Sequence, residues 1–285
     1  MKPIFLFFLL GFTSIWAQKP EPGEIKITLN ADYKPAEITY VDGHKEQGFI
    51  YGFISNKAIA VGSLLDTEFD TLESDLNLID NSFTFKTTLD GEKKHLSQND
   101  IKEVNLYYNT DAPDFYRLMD MKSANSAGEI VDLHKKVWLP LYQTNGKFNI
   151  FSYDVYTIHP NTYAGTYVYL NRADDNFAIN PRDINRVNLF NLDKIDDKFV
   201  ATLKYIFRDC PEFVQTLNGE PRDVWMHFYE GLLWKETGKK LKQYEKEHKE
   251  LTKQQLEKHR IDYKRQAEIL PYIRCIEEYY QKCPK

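Results

Sequence analysis

Long apolar runs are missing from almost all of this 285-residue chain, cysteine is scarce, and catalytic signatures are absent. Past residue 12 no segment approaches the ~20 apolar residues that a membrane-spanning helix needs. The seven histidines are scattered and form neither HxH nor HExxH. Glu245-x-x-His248 has di-metal spacing, but it lacks the matching motifs that such sites draw from other helices. No P-loop and no G-x-G-x-x-G occurs. G-x-S-x-G is missing as well, as is S-x-x-K ahead of an apolar helix. Cofactor and metal sites are therefore read as none, and catalytic residues as unknown. A net charge of −5 lacks the basic excess of a nucleic-acid binder. What remains is 42% hydrophobic and 14% aromatic, with Tyr and Phe foremost. That is enough for a sizeable core, and the aromatics favour β structure.

The one apolar run is at the start. Met1–Lys2 supply a short positive region, "IFLFFLLGF" (Ile4–Phe12) an apolar one, and "TSIWAQ" follows with small Ala17 before Gln18. This reads as a secretory signal peptide over residues 1–17. A retained anchor is the alternative. No Cys follows the run, so no lipid-attachment site is read. The mature chain is expected outside the cytoplasm, periplasmic or secreted, with no membrane span.

Cys210, Cys275 and Cys283 are an odd set. For an exported chain, one bridge and one leftover thiol is the simplest arithmetic. Cys275 and Cys283 lie eight apart in a helical pattern. At 1.5 Å per residue they are ~12 Å apart, beyond the ~7 Å reach of a bridge. If the helix persists, Cys210 is one partner, and Cys275 is slightly preferred over Cys283 as the other. Three free thiols is the alternative.

The pattern predicts an α+β fold by segregation, strands first and helices last. Residues 18–191 read as antiparallel β and 192–285 as helical. Asp42–Gly43, Asp90–Gly91 and Asn145–Gly146 each stand between alternating runs, the signature of hairpins. Gly48 and Gly52 point to a bulge or to close approach of another backbone. From Asp193, Phe199, Leu203, Ile206 and Cys210 recur at helical spacing, and Pro211 opens a second short helix. Pro221 opens a third, with Val224, Trp225, Phe228 and Leu232 on its buried side. One long charged helix is expected from Lys239 to about Leu270, with Pro271 kinking or breaking it. Residues 239–285 carry 13 Lys/Arg against 8 Asp/Glu, so this end is basic while the rest is acidic. A solvated helix face is the plain reading, and a basic partner-binding arm the sharper one.

An octet occurs twice: "DIKEVNLY" at Asp100–Tyr107 and "DINRVNLF" at Asp183–Phe190. Before each stands an aromatic-x-aromatic strand, a polar turn and one apolar residue. The reading is a duplicated hairpin-plus-strand unit, about 36–108 and 137–190. Asp100 and Asp183 would be equivalent turn residues, where a short side chain can bond a backbone N–H. Val104/Leu106 and Val187/Leu189 would be equivalent core positions. A paired-carboxylate active site is the alternative. Tyr163, Tyr167 and Tyr169 are candidates for a sugar-stacking face, against core packing on a strand.

"VDGHKEQGFI" (Val41–Ile50) resembles the D-G-x-x-x-x-G-x-I hairpin near the start of small secreted proteins of Gram-negative envelopes. "FRDCPEF" (Phe207–Phe213) resembles a helix-end F-x-D-C-P motif of the same group. Together they cover under a tenth of the chain. The group has no assigned activity, so the resemblance implies an exported α+β protein and no substrate. Where that group carries a second Cys after "HFYEG" (His227–Gly231), this chain has Leu232, so a carried-over disulfide would lack a partner here.

The functional expectation is an exported non-enzymatic envelope protein, a binding or scaffold module for an envelope protein or polysaccharide. A secreted hydrolase using a carboxylate pair on glycan or peptidoglycan is the alternative. An outer-membrane β-barrel conflicts with the helical last third. Protein recovered from the periplasm or medium should begin at or near Gln18. Intact mass showing Met1 retained on cytosolic protein would refute export.

Overall fold

The structure is a computed structural model and describes residues 33–51, 82–107, 114–125, 127–156, 163–181, 193–218 and 233–284. The expected signal peptide, Gly52, the helix proposed from Pro221 and the whole second octet, with Asp183, Val187 and Leu189, lie outside these residues.

Two Asx-Gly turns behave as their chemistry dictates. Gly43 and Gly146 have φ of 90° and 86°, where an L side chain is strained. The first joins β1 (Lys34–Tyr40) to β2 (Lys45–Tyr51) and the second joins β7 (Ile130–Thr144) to β8 (Phe148–Tyr156). Asp90–Gly91 instead sits in a longer loop between β3 (Ser82–Lys86) and β4 (Lys94–Ser97). Gly48 is a close-approach glycine: a Cβ there would lie 2.1 Å from the Lys86 carbonyl oxygen across the β2–β3 pair. A 3-10 turn, Gln98–Asp100, leads into β5 (Ile101–Leu106). That places Asp100 in a turn before a strand, and Val104 and Leu106 are fully buried.

The strand that sequence reading passes over is β6 (Asp114–Ala124). Its hairpin with β7 turns at Gly128, φ 84°, where the Asn125 carboxamide accepts from the Ala127 and Glu129 amides. β9 (Tyr163–Arg172) and β10 (Phe177–Ile179) complete a sheet ordered β10-β9-β8-β7-β6-β5-β1-β2-β3-β4.

β10 also pairs with β6, in parallel, through Phe177–Ile179 and Asp120–Lys122. β6 through β10 therefore form a closed five-stranded ring. Four antiparallel steps leave the fifth strand pointing the same way as the first, so the closing pair must be parallel. Register shifts at Asp120/Lys122, Leu141/Gln143 and Val155/Tyr156 supply the bends that closure demands. Opposite the first of these, His134 takes a positive φ of 53° while its amide donates to Asp132 Oδ1.

Ring and helices partition the interior into three cores separated by two walls. Along β6 and β7, Tyr116, Leu118 and Trp138 face the core of β1–β5, while Met119, Met121, Val137 and Leu139 face the ring interior. Along β8–β10, Phe151, Tyr169 and Ala178 fill the ring. Phe148, Ile150, Val168, Leu170, Phe177 and Ile179 face the helices. Strands buried on both faces read as near-continuous apolar runs rather than clean alternation. "VWLPL" and "YVYL" show that pattern.

The helices among the described residues are α1 (Asp193–Ile206), α2 (Pro211–Thr216), α3 (Leu233–Glu247) and α4 (Lys253–Lys282). Phe199, Leu203, Ile206 and Cys210 are all buried on the sheet, as their spacing predicts. The single long charged helix is a correction. The chain breaks at residues 248–252, because Thr252 starts a new helix with a capping box. Its hydroxyl accepts from the Gln255 amide, and Gln255 Oε1 accepts from the Thr252 amide. Pro271, expected to break or kink the helix, lies inside α4. An internal proline costs about 3 kcal/mol. Burial of Ile269, Tyr272, Cys275 and Ile276 around it supplies more than that.

The disulfide joins Cys210 to Cys283, with Cα atoms 6.1 Å apart, and Cys275 is a buried free thiol. This corrects the preference for Cys275. Eight residues at 100° each leave the two side chains about 80° apart around the helix axis. Cys275 therefore packs into the helix–sheet core, while Cys283, at the C-cap, meets Cys210 where α1 ends and α2 begins. The bridge closes a 73-residue loop. By loop entropy, removing it costs about 4 kcal/mol. Non-reducing peptide mapping should recover Cys210 joined to Cys283 and alkylate Cys275 only after denaturation. Cys275 in the bridge, or three free thiols, would contradict the fold described.

Candidate functional site

β6 gives one edge to β7 and divides the other. Asp114–Arg117 pair with β5, and Asp120–Lys122 pair with β10. At that fork the two partner strands part, and a cavity of about 700 Å³ opens between them. Arg117–Asp120 line its length along β6. One side comes from the β1–β2 turn and the start of β5, the other from the mouth of the ring. No aromatic ring lines it; asparagine, acidic and basic side chains share the lining with apolar Val41, Ile101, Leu118 and Met119.

Each carboxylate in the lining meets a cation. Glu103 faces Arg117 at 3.3 Å, Asp174 faces Arg172 at 3.1 Å, and Asp175 meets Arg208 at 2.9 Å. Asp120 lies 3.9 Å from Lys136 and accepts from the Asn176 carboxamide at 3.4 Å. The hydrogen bond from Arg172 holds the Asp174 carboxyl below the ordinary carboxylate range. At the ring mouth two asparagines are buried, Asn149 on β8 and Asn171 on β9. Asn171 Nδ2 donates to the carbonyls of Asp175 and Phe177, and Asn149 Nδ2 donates to Asn171 Oδ1 at 2.7 Å.

Few of the residues singled out in the sequence come together here. Asp174 and Asp175 line the cavity; Asp100 does not, although its neighbour Asn99 does. Glu245 is taken up by Arg260 across the α3–α4 hairpin, and His248 stacks on Tyr244. Among the described residues no group of three His, Cys, Asp or Glu is placed to hold a metal ion. Tyr163 and Tyr169 are buried, and Tyr167 packs against the ring interior, so these tyrosines are core rather than a stacking face. Arg260 and Arg265 of the basic helix are paired with Glu245, Glu257, Asp154 and Asp262. Sequence reading missed Asn149 and Asn171. The one available signal was a polar residue at an inward position of an otherwise apolar strand, in "FNIF" and "YLNR".

Among the described residues no helix is long and apolar enough to cross a membrane. Comparison with protein-family models, curated proteins and solved structures finds no match.

A second polar cluster lies beside the disulfide. Asp209 accepts from Arg172 Nη1 at 2.7 Å and from the Tyr279 hydroxyl at 2.9 Å, and pairs with Lys147 at 2.7 Å. Lys147 also donates to the Tyr279 hydroxyl. Arg172 and Lys147 belong to the sheet side, Asp209 to the end of α1 and Tyr279 to α4. Burial alone would raise the Asp209 carboxyl. The hydrogen bonds from Arg172, Lys147 and Tyr279 outweigh it and hold the group far below the carboxylate range. Perturbed groups mark functional sites or structural ion networks. Here Arg172 Nη1, Lys147 and Tyr279 all converge on Asp209 and join helices to sheet, so the cluster is a lock.

A depressed native pKa stabilises fully above the unfolded value, near pH 3.9, and the contribution fades as pH falls below it. Asp209→Asn should therefore be less stable than wild type at pH 7, with the gap narrowing steadily as pH falls from 4 to 2. Urea midpoints of both proteins across that range measure it. A gap independent of pH would show that the charge does not hold the lock.

Proposed function

We propose that the chain is an exported, non-catalytic envelope protein that works as a binding module, with the fork cavity as its site. One observation carries the reading: a roomy cavity sits at the fork where β5 and β10 part along β6, and each of its acids is already paired with a cation. A glycosidase acid must instead keep a neutral carboxyl at working pH, raised by an apolar setting. The disulfide supports export, because such bonds persist in oxidising compartments. So do the signal-peptide pattern and the resemblance to secreted envelope proteins.

Duplication of a small β unit belongs to the same proposal. β1–β4 and β7–β10 run in the same antiparallel order, and each opens with an Asx-Gly turn of positive φ. The connection after β2, residues 52–81, is longer than that after β8, residues 157–162. In the first unit β5 covers the free edge of β1; in the second β6 takes that place on β7.

The experiment is capture from envelope extract with the mature chain at low and physiological salt, beside a hydrolase panel on peptidoglycan and polysaccharides. We expect a retained envelope component and no turnover. Retention that survives physiological salt places the contact away from the exposed basic helix surface, where charges are screened beyond ~8 Å. Turnover abolished by a single Asp or Glu substitution would replace the binding module with the hydrolase.

A further inference from the structure

α3 has two unlike sides. Leu241, Tyr244 and, just past the helix end, His248 turn toward α4. Leu241 is buried, and the Tyr244 ring is stacked between His248 and His259, with centroids 4.0 and 3.6 Å away. Arg260 of α4 holds both Glu245 and Glu257, which clasps the hairpin near its tip. On the opposite side of α3, Lys239, Lys242 and Lys246 recur at i, i+3 and i+7. At 100° per residue they fall within about 60° of one another. All three are exposed, as are Lys249 in the turn and Lys253 at the start of α4. None of the five meets an acid among the described residues. Exposed Glu247 lies off the stripe and accepts from Gln243.

This arrangement works against the helices that carry it. Lys239 with Lys242, and Lys242 with Lys246, are like-charge neighbours on one helix face, and such pairs repel. Lys253 stands in the first turn of α4, where the helix dipole disfavours a cation, and no acid offsets it there. A face kept for solubility intersperses both signs. A face of one sign that breaks local rules without a structural gain marks a functional surface.

We propose that the lysine face of the α3–α4 hairpin docks on an anionic lipid surface and holds the protein there without a span. Charge complementarity selects the occupant. A cluster of about four to eight basic residues on one helical element suits a negatively charged leaflet. The cations are lysines, compact point charges that suit a diffuse field. Arginine would instead signal bidentate grip on one phosphate or carboxylate. A protein partner calls for an apolar or aromatic anchor at the centre of the contact. Among the described residues no large exposed apolar side chain lies within 239–260. No residue of α3 or α4 lines the fork cavity, so lipid attachment and ligand binding can fail separately.

The test is co-sedimentation of the mature chain with vesicles of phosphatidylglycerol and phosphatidylcholine in equal parts, and with phosphatidylcholine vesicles, at low and physiological salt. We expect binding to the anionic vesicles alone, falling severalfold as salt rises, since exposed charges are screened beyond ~8 Å at 0.15 M. Each lysine near an anionic surface strengthens attachment about fivefold. Lys242→Gln/Lys246→Gln should therefore weaken it about tenfold or more. Its urea midpoint should equal or exceed that of wild type, because a repulsive pair is gone. Lys93→Gln/Lys94→Gln removes the same charge from exposed positions at the start of β4 and should bind as wild type does. Equal binding to neutral vesicles, or equal weakening in both double variants, would overturn the proposal. So would no binding at low salt, or tighter binding to polyglutamate or duplex DNA than to the vesicles. Residues 66–80 of this chain carry six Asp/Glu and no Lys/Arg. Carbodiimide cross-links from the hairpin lysines to that run would show the face occupied from within and overturn it as well.

Discussion

One strand edge governs the molecule. β6 pairs with β7 along one side and splits its other side between β5 and β10. The first half of that edge joins the β1–β5 unit to the rest of the sheet, and the second half closes the ring. Because β6 and the Val137–Leu139 stretch of β7 give side chains to both cores, neither core can loosen without exposing the other. The cavity is a geometric consequence, since two strands that share one edge must diverge where one stops and the next begins.

The helices depend on the ring in turn. Its outer wall, β8–β10, presents Phe148, Ile150, Val168 and Leu170, and this surface needs a cover. α1 and α4 supply it, and three kinds of contact hold them there. Apolar burial contributes most, at about 25 cal/mol per Å². The disulfide limits how far the two ends of the helical region can separate in the unfolded chain. The Asp209 lock and the pairing of Arg265 with Asp154 then fix the docking angle. Phe148, Phe207, Phe213 and Tyr279 pack edge to face beside the lock, with centroids 4.9–6.2 Å apart.

The sequence made the class of fold, two tight turns and the buried face of α1 legible, because each has a local cause. Asn-Gly and Asp-Gly need a positive φ, and Phe199, Leu203 and Ile206 recur at helical spacing. β6 escaped notice because "DFYRLMDMKSA" mixes helix-forming Leu and Met with charges, and it serves one core with Tyr116 and the other with Met119. A strand buried on both faces loses the alternation that identifies strands. The break at Thr252 was written in Thr252-x-x-Gln255, while Pro271 drew attention to the wrong place. The Cys283 partner depended on which way α4 turns its two cysteines, a tertiary fact. The cavity could not be read at all: Asn149 and Asn171 are distant in sequence from Arg117 and Ile101, and only ring closure brings them to one space.

The functional reading follows from this architecture. A closed ring offers a rigid mouth, and a fork beside it offers room. The central claim is that β10 closes on β6, and native-state amide exchange tests it most directly. If the ring is closed, the amides of β10 and of Asp120–Lys122 exchange only with the cooperative unfolding that releases β8 and β9, at the same free energy of opening. Fast exchange of β10 while β8 and β9 stay protected would mean an open edge there, and the fork and its cavity would lose their frame.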